Sequence, residues 1–140
     1  MVHEVGLAAL VSGVIAQVLK PFMDLLMKKG FNLFRMLDSG GMPSSHTSVV
    51  TTLSVGIAVY EGVSSPLFAI SLVMGLYFIF EATGLRQEVG NQARVLNEIV
   101  DRARDTHHFT AEELQELIGH TWVEVLGGFA VGLLVSYLFF

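Results

Sequence analysis

The sequence predicts an all-α integral membrane protein, a helical bundle of about four transmembrane helices with an additional interfacial amphipathic helix. Two observations predict this fold class. Of the 140 residues, 52% are hydrophobic and only 15% are charged, whereas soluble domains average roughly 25% charged residues. The apolar residues also concentrate in four long stretches, which would leave a soluble helical protein with too little polar surface. We expect residues 1–140 to form a single membrane-embedded domain.

Four stretches without charged residues are the predicted spans: residues 5–19, 47–60, 63–80 and 125–140. Each is shorter than the about 20 residues that cross a bilayer core, so polar residues are expected at one end of each span. Residues 91–104 place apolar side chains at helical spacing against charged ones, which predicts the interfacial helix. Thr110 and Glu113 fit a capping box, which predicts that the helix leading into the fourth span begins there.

The basic residues occupy two blocks, which the predicted topology places on one side of the membrane. They are Lys20, Lys28, Lys29, Arg35, Arg86, Arg94, Arg102 and Arg104. The positive-inside rule assigns that side to the cytoplasm and both termini to the opposite side. The shortage of charged residues argues against a nucleic-acid binder, and the lack of cysteine argues against a disulfide scaffold.

Ionisable residues gather at the cytoplasmic end of every predicted span, although each is costly at membrane depth. They are Lys20 on the first span, His46 on the second, Glu81 and Arg86 on the third, and His120 with Glu124 on the fourth. Snorkelling to the interface explains one such residue more easily than a group from four helices. The sequence therefore predicts one polar site at this boundary.

Two faces of small residues predict close helix packing. On the first span the face is Ala8, Ser12, Ala16, Lys20 and Asp24, and on the fourth it is Gly128, Gly132 and Ser136. The lysine has two interpretations, a cation directed at the polar site or a lysine that snorkels to the interface. The two glycines also form a GxxxG pair, for which a homodimer contact is the second interpretation.

The segment from Gly40 to His46, GGMPSSH, begins the second span and predicts an anion site. The glycines permit a tight backbone, Pro43 suits a first helical turn, and the amide groups at a helix N-terminus favour a phosphate. On the fourth span, His120 and Glu124 are four residues apart, which predicts neighbours on one helical face. The carboxylate would orient the imidazole as a base or nucleophile, or the pair would be a structural hydrogen bond.

The PSSH segment that ends at His46 resembles the PSGH motif of the type-2 phosphatidic acid phosphatase and vanadium haloperoxidase superfamily. HTWVE, which starts at His120, resembles its HxxxD motif with Glu124 in place of the aspartate. Over roughly residues 10–135 the chain is similar to the small, divergent branch of that superfamily, the acid phosphatase/haloperoxidase-related proteins. The KxxxxxxRP motif of the superfamily is not matched, since Lys20 is followed by Pro21 and no Arg-Pro pair follows.

The resemblance implies a phosphatase that works through a phosphohistidine without a metal or a cofactor. His120 would be the nucleophile, Glu124 its orienting acid and His46 the general acid. Ser44, Ser45 and the backbone at Gly41 would bind the phosphate. For the missing cations of the motif we assign Lys20 and Arg86, because both end a span on the same side. Fixed cations and amides then stabilise the charge that a metal would otherwise neutralise.

The expected function is hydrolysis of a lipid phosphate monoester or pyrophosphate at the cytoplasmic boundary of the membrane. The alternative is a non-catalytic membrane module that binds a phospholipid head group or a partner helix at the same site. A small channel or proton-linked carrier using Glu81, Glu124 and the histidines is a third hypothesis. No metal site is expected, because the adjacent His107 and His108 diverge by about 100° on a helix.

Overall fold

The computed structural model describes residues 2–38, 40–106 and 121–140, and every regular element in these ranges is helical. Its helices are α1 (Val2–Leu26), α2 (Ser45–Glu61), α3 (Pro66–Phe80), α4 (Arg86–Thr106) and α5 (Trp122–Phe139). A 3₁₀ helix (Leu33–Leu37) follows α1, and a π-helical turn (Glu81–Leu85) joins α3 to α4. The predicted all-helical bundle is confirmed. α1, α2, α3 and α5 correspond to the four predicted spans, although α3 begins at Pro66, three residues later than predicted.

Three segments of the described residues are long and apolar enough to cross a membrane: His3–Leu26, Pro66–Asp101 and Trp122–Phe139. Their outer faces expose large apolar side chains such as Leu10, Leu76 and Leu126, as expected for helices that contact lipid. α2 is only 17 residues long and packs against α1, α3 and α5. It is therefore the central helix of the bundle.

α2 is held in place by hydroxyl side chains. Its buried residues are Ser45, Thr47, Ser48, Thr51, Thr52 and Gly56. The Ser48 hydroxyl donates to the backbone oxygen of Ser12 on α1 at 3.1 Å. The Thr52 hydroxyl lies 3.1 Å from the backbone oxygen of Gly132 on α5 and donates to it. Such interhelical hydrogen bonds contribute about 0.6 kcal/mol each in membrane proteins. They also satisfy polar groups that would find no hydrogen-bond partner in the lipid.

Both predicted faces of small residues are buried in the bundle. Ala8, Ser12, Ala16, Lys20 and Asp24 all lie on the inner side of α1. Gly128 and Gly132 contact α2: a Cβ at Gly132 would lie 2.8 Å from the Ser48 backbone oxygen, and one at Gly128 would collide with the Ser44 backbone oxygen. The helix-packing interpretation of the two glycines is therefore correct. α2 of the same chain covers both glycines, and a homodimer stays a prediction.

Contacts along α2 define the direction of its neighbours. Ser48 meets Ser12, whereas Gly56 meets Val5, so α1 runs antiparallel to α2. Gly128 lies beside Ser44, and Gly132 lies beside Ser48, so α5 runs parallel to α2. α3 follows α2 after a short turn and returns antiparallel to it. The C-terminal ends of α1 and α3 and the N-terminal ends of α2 and α5 therefore meet at one end of the bundle, as predicted.

Candidate functional site

Among the described residues at this end, Lys20 is the most deeply buried charged residue. It lies on α1 with 0% of its surface exposed, and its Nζ donates to the backbone oxygen of Asp38 at 2.6 Å. A snorkelling lysine would present its ammonium group to the interface. The buried side chain excludes that interpretation and directs the cation into the end of the bundle.

Arg35 is a second cation at this end, supplied by the 3₁₀ helix that follows α1. Its Nε donates to Asp24 Oδ2 and its Nη1 to Asp38 Oδ2, each at 2.6 Å. The hydrogen bond to Asp24 raises the pKa of the Arg35 guanidinium most, and the hydrogen bond to Asp38 raises it further. Arg35 is therefore a permanent charge that two carboxylates hold in one position.

At Gly41, the loop before α2 packs against the side chains of both cations. The φ of Gly41 is +98°, a backbone conformation that residues with a Cβ avoid. A Cβ at Gly41 would lie 2.9 Å from Arg35 Nη2 and 3.9 Å from Lys20 Cδ. The glycine is thus required both by the turn and by the close approach of the loop to the cations.

Ser44 and Ser45 start α2 next to this loop. Ser44 is the N-cap, and its Oγ accepts from the backbone N–H and the hydroxyl of Thr47. The Ser44 backbone N–H donates to the backbone oxygen of Glu124 at 3.0 Å, which ties the starts of α2 and α5 together. Both serines are buried. The predicted phosphate-binding role of Ser44 would therefore be shared with a capping role.

His46 faces α3 on the other side of α2 from this contact. Its exposed side chain lines a cavity of about 320 Å³ together with Ser45, Val49, Val50 and Phe78. The cavity separates α2 from the last turn of α3. His46 therefore lies at the predicted end of the bundle, in a space bounded by both helices.

Glu124 occupies the first turn of α5 and takes part in a capping box. Its Oε2 accepts from the Thr121 backbone N–H at 3.2 Å, and its own N–H donates to Thr121 Oγ1 at 3.3 Å. α5 begins at Trp122, and its cap Thr121 has an extended backbone. His120 lies outside the described residues, and its pairing with Glu124 stays a prediction, as does the Thr110 capping box.

The charges around Lys20 form one electrostatic cluster of Arg35, Asp24, Asp38 and Glu124. Two cations thus face three carboxylates among the described residues. Arg86, the other predicted cation, is the first residue of α4, and the structure does not describe its side chain. The structure brings Lys20, Gly41, Ser44 and Glu124 into one neighbourhood, whereas His46 lies on the side of α2 that faces α3.

Arg35, Asp24 and Asp38 are the site residues that the sequence reasoning did not select. Asp24 follows Lys20 by four residues, and Asp38 follows Arg35 by three, so each local pair has helical spacing. Neither spacing reveals that the 3₁₀ helix returns the chain to α1. Arg35 supplies a cation near Lys20 without the Arg-Pro pair of the superfamily motif.

Apolar spanning helices with a buried lysine and a glycine loop at one end define an integral membrane protein with a candidate anion site. The chain belongs to the family described as the Divergent PAP2 family, which matches residues 1–135. It is 35% identical over 141 residues to the uncharacterized membrane protein YuiD of Bacillus subtilis (strain 168), a match that covers 93% of this chain and 89% of that protein. No solved structure matches the chain.

Proposed function

We propose that the protein is a membrane phosphatase that hydrolyses a lipid phosphate monoester or pyrophosphate. The observation that carries this proposal is the burial of Lys20 beneath the Gly41 loop, with Arg35 of the 3₁₀ helix packed against the same loop. Burying an ammonium group costs several kcal/mol. Attraction to an anionic substrate would offset part of that cost. Membership of the Divergent PAP2 family supports the same chemistry.

In the proposed reaction, His120 attacks the phosphorus atom and the bond from phosphorus to the lipid oxygen breaks. His46 protonates the departing oxygen, and water then hydrolyses the phosphohistidine. Glu124 orients His120. Lys20 and Arg86, together with Arg35, balance the charge of the phosphoryl group, and the Gly41 backbone with Ser44 and Ser45 binds its oxygens.

The proposed site faces the cytoplasm. Of the eight basic residues of the chain, seven lie in the segments that connect α1 to α2 and α3 to α5, and Lys20 lies near the end of α1 on the same side. Positively charged connections favour the cytoplasmic side. A lipid phosphate in the cytoplasmic leaflet would present its head group at the level of Lys20 and His46.

The direct test measures inorganic phosphate released by protein purified in detergent from phosphatidic acid, lysophosphatidic acid and a polyprenyl pyrophosphate. We expect turnover of at least one substrate, inhibition by vanadate, and no turnover by His120→Ala protein that purifies normally. Activity retained in the His120→Ala variant would contradict the proposed mechanism.

A binding module without hydrolysis is the second candidate, and one observation favours it. The carboxylates outnumber the cations in the described cluster, and Arg35 is already paired with Asp24 and Asp38. Phosphatidic acid that binds to the protein and stays intact over long incubation would establish this alternative.

Gly41→Ala tests the role of the loop. The added methyl group would press on the Arg35 guanidinium in a backbone conformation that favours glycine, so we expect phosphate release to fall by about tenfold. Gly62→Ala is the matched control: Gly62 has a φ of +83° and no neighbour within 4 Å. Both variants should lose about 1 kcal/mol of stability, but only Gly41→Ala should lose activity. Equal activity losses would refute a specific role for Gly41.

A further inference from the structure

An apolar groove runs between α3 and α5 along the membrane-embedded part of α2. It has a volume of about 450 Å³, and its walls are largely hydrocarbon. The lining includes Val50 and Ala58 from α2, Leu72 and Ile79 from α3, and Phe129 and Leu133 from α5. The groove thus has a floor on the central helix and one wall on each of two spanning helices.

The groove leads to the cavity that contains His46. Val50 lines both spaces, and the cavity lies beside it toward the N-terminus of α2. His46, Val50, Ser54 and Ala58 follow one another at intervals of four residues, so they lie on one face of α2. The same helical face therefore carries the predicted general acid at one end and the floor of the groove along the rest.

The dimensions of the groove fit an extended hydrocarbon chain. On α3 its lining extends from Phe68 to Ile79, a helical rise of about 16 Å at about 1.5 Å per residue. Gly75 lies midway along this wall, where a side chain would meet Val50. An acyl chain is flexible, apolar and continuous with a phosphate head group, so one molecule can occupy both the groove and the cavity.

We propose that the groove between α3 and α5 binds an acyl chain of the lipid whose phosphate group reaches the His46 end of the bundle. This inference rests on the proposed function, because it assigns the tail of the same substrate. It makes the substrate class an acylated lipid phosphate held by its tail as well as by its head group. The tail enters sideways from the bilayer, since both walls belong to helices that contact lipid.

The test uses phosphatidic acid with a photoreactive group near the end of one acyl chain, added to the full-length protein in liposomes. Mass spectrometry then locates the labelled peptides. We expect labels on the α3 and α5 walls, near Leu72 and Leu133, that unlabelled phosphatidic acid displaces and phosphatidylcholine does not. Labelling that phosphatidylcholine displaces equally would mean that the groove holds only bulk lipid, and would overturn the proposal.

Matched tryptophan variants test the two walls separately. Leu72→Trp and Leu133→Trp should each reduce labelling by about tenfold, the loss expected when about two methylene groups lose their burial. Their neighbours Val73 and Leu134 are exposed and do not line the groove, so Val73→Trp and Leu134→Trp should label like the wild type. Because the walls are independent, failure of one variant to fold leaves the other as the test. Unchanged labelling in a folded groove variant would overturn the proposal.

The labelling test and the hydrolysis test can fail independently of each other. Selective labelling of the groove without phosphate release would refute the proposed phosphatase and leave the acyl site standing. Phosphate release with labels only outside the groove would refute the acyl site and leave the phosphatase standing. Labelling of the groove walls that is found only in dimers of the chain would identify the groove as a protein interface and overturn the proposal.

Discussion

Lys20→Met is expected to reduce phosphate release by about a hundredfold or more, because one fixed donor at a developing oxyanion contributes about this factor. Methionine has a similar length and can occupy the buried position without its charge. Lys20 Nζ is held 2.6 Å from the Asp38 backbone oxygen, so the ammonium group is positioned before substrate binds. The rate of phosphate release and the binding of vanadate are the measurements, and both should fall.

Lys29→Met is the matched control for Lys20. Lys29 is exposed after α1 and has the same charge, so its replacement changes the net charge of the protein equally. It should retain wild-type turnover. Comparable turnover in folded Lys20→Met protein would contradict the assignment of Lys20 to the phosphate site, whatever its effect on thermal stability.

Gly128→Ala is expected to destabilise the bundle by about 2–3 kcal/mol, the upper part of the range for overpacking. Its Cβ would collide with the Ser44 backbone oxygen and lie 2.9 Å from Thr47 Cβ. Neither obstacle is the end of a flexible side chain, so α5 must move away from α2. The free energy of unfolding in detergent micelles measures this loss, and the hydrogen bond between Ser44 and Glu124 should break with it.

Gly127→Ala is the neighbouring control. A Cβ there would meet Met42 Cγ at 3.2 Å and Pro43 Cβ at 3.4 Å, and the methionine side chain can move. Alanine also favours a helix over glycine by about 0.5–1 kcal/mol, so Gly127→Ala should stay within about 1 kcal/mol of the wild type. Similar losses at both positions would mean that the contact between α2 and α5 is looser than the structure has it.

Much of this architecture could be predicted from the sequence because its signals are local and periodic. Residues spaced by four along α1, from Ala8 to Asp24, share one face of any helix, and small residues on that face indicate close packing. The same holds for Gly128 and Gly132. Apolar length predicts the spans, and the polar residues at one end of each span predict where the site lies.

Other features depend on contacts that no local pattern encodes. Arg35 reaches Asp24 only because the 3₁₀ helix brings the chain back to α1. At the start of α5, Thr121 and Glu124 form a capping box, which the sequence analysis did not select. The capping geometry starts α5 one residue later than Thr121 and directs Glu124 Oε2 toward the backbone.

Hydropathy alone does not explain the hydroxyl-rich face of α2. The apolar residues of α2 predict a span, but its position at the centre of the bundle explains why Thr47, Ser48 and Thr52 are buried. Each finds a hydrogen-bond partner in α2 or a neighbouring helix. A polar inner face is therefore compatible with a helix that other helices shield from lipid.

The most direct test of the central claim is to trap the phosphorylated enzyme. Purified protein is mixed briefly with a radiolabelled lipid phosphate, quenched in alkali to preserve phosphohistidine, and digested for mass spectrometry. A phosphatase of the proposed kind carries the label on His120, loses it in His120→Ala, and retains it in His107→Ala and His108→Ala. Phosphate release without any labelled histidine, or a label that persists in His120→Ala, would contradict the claim.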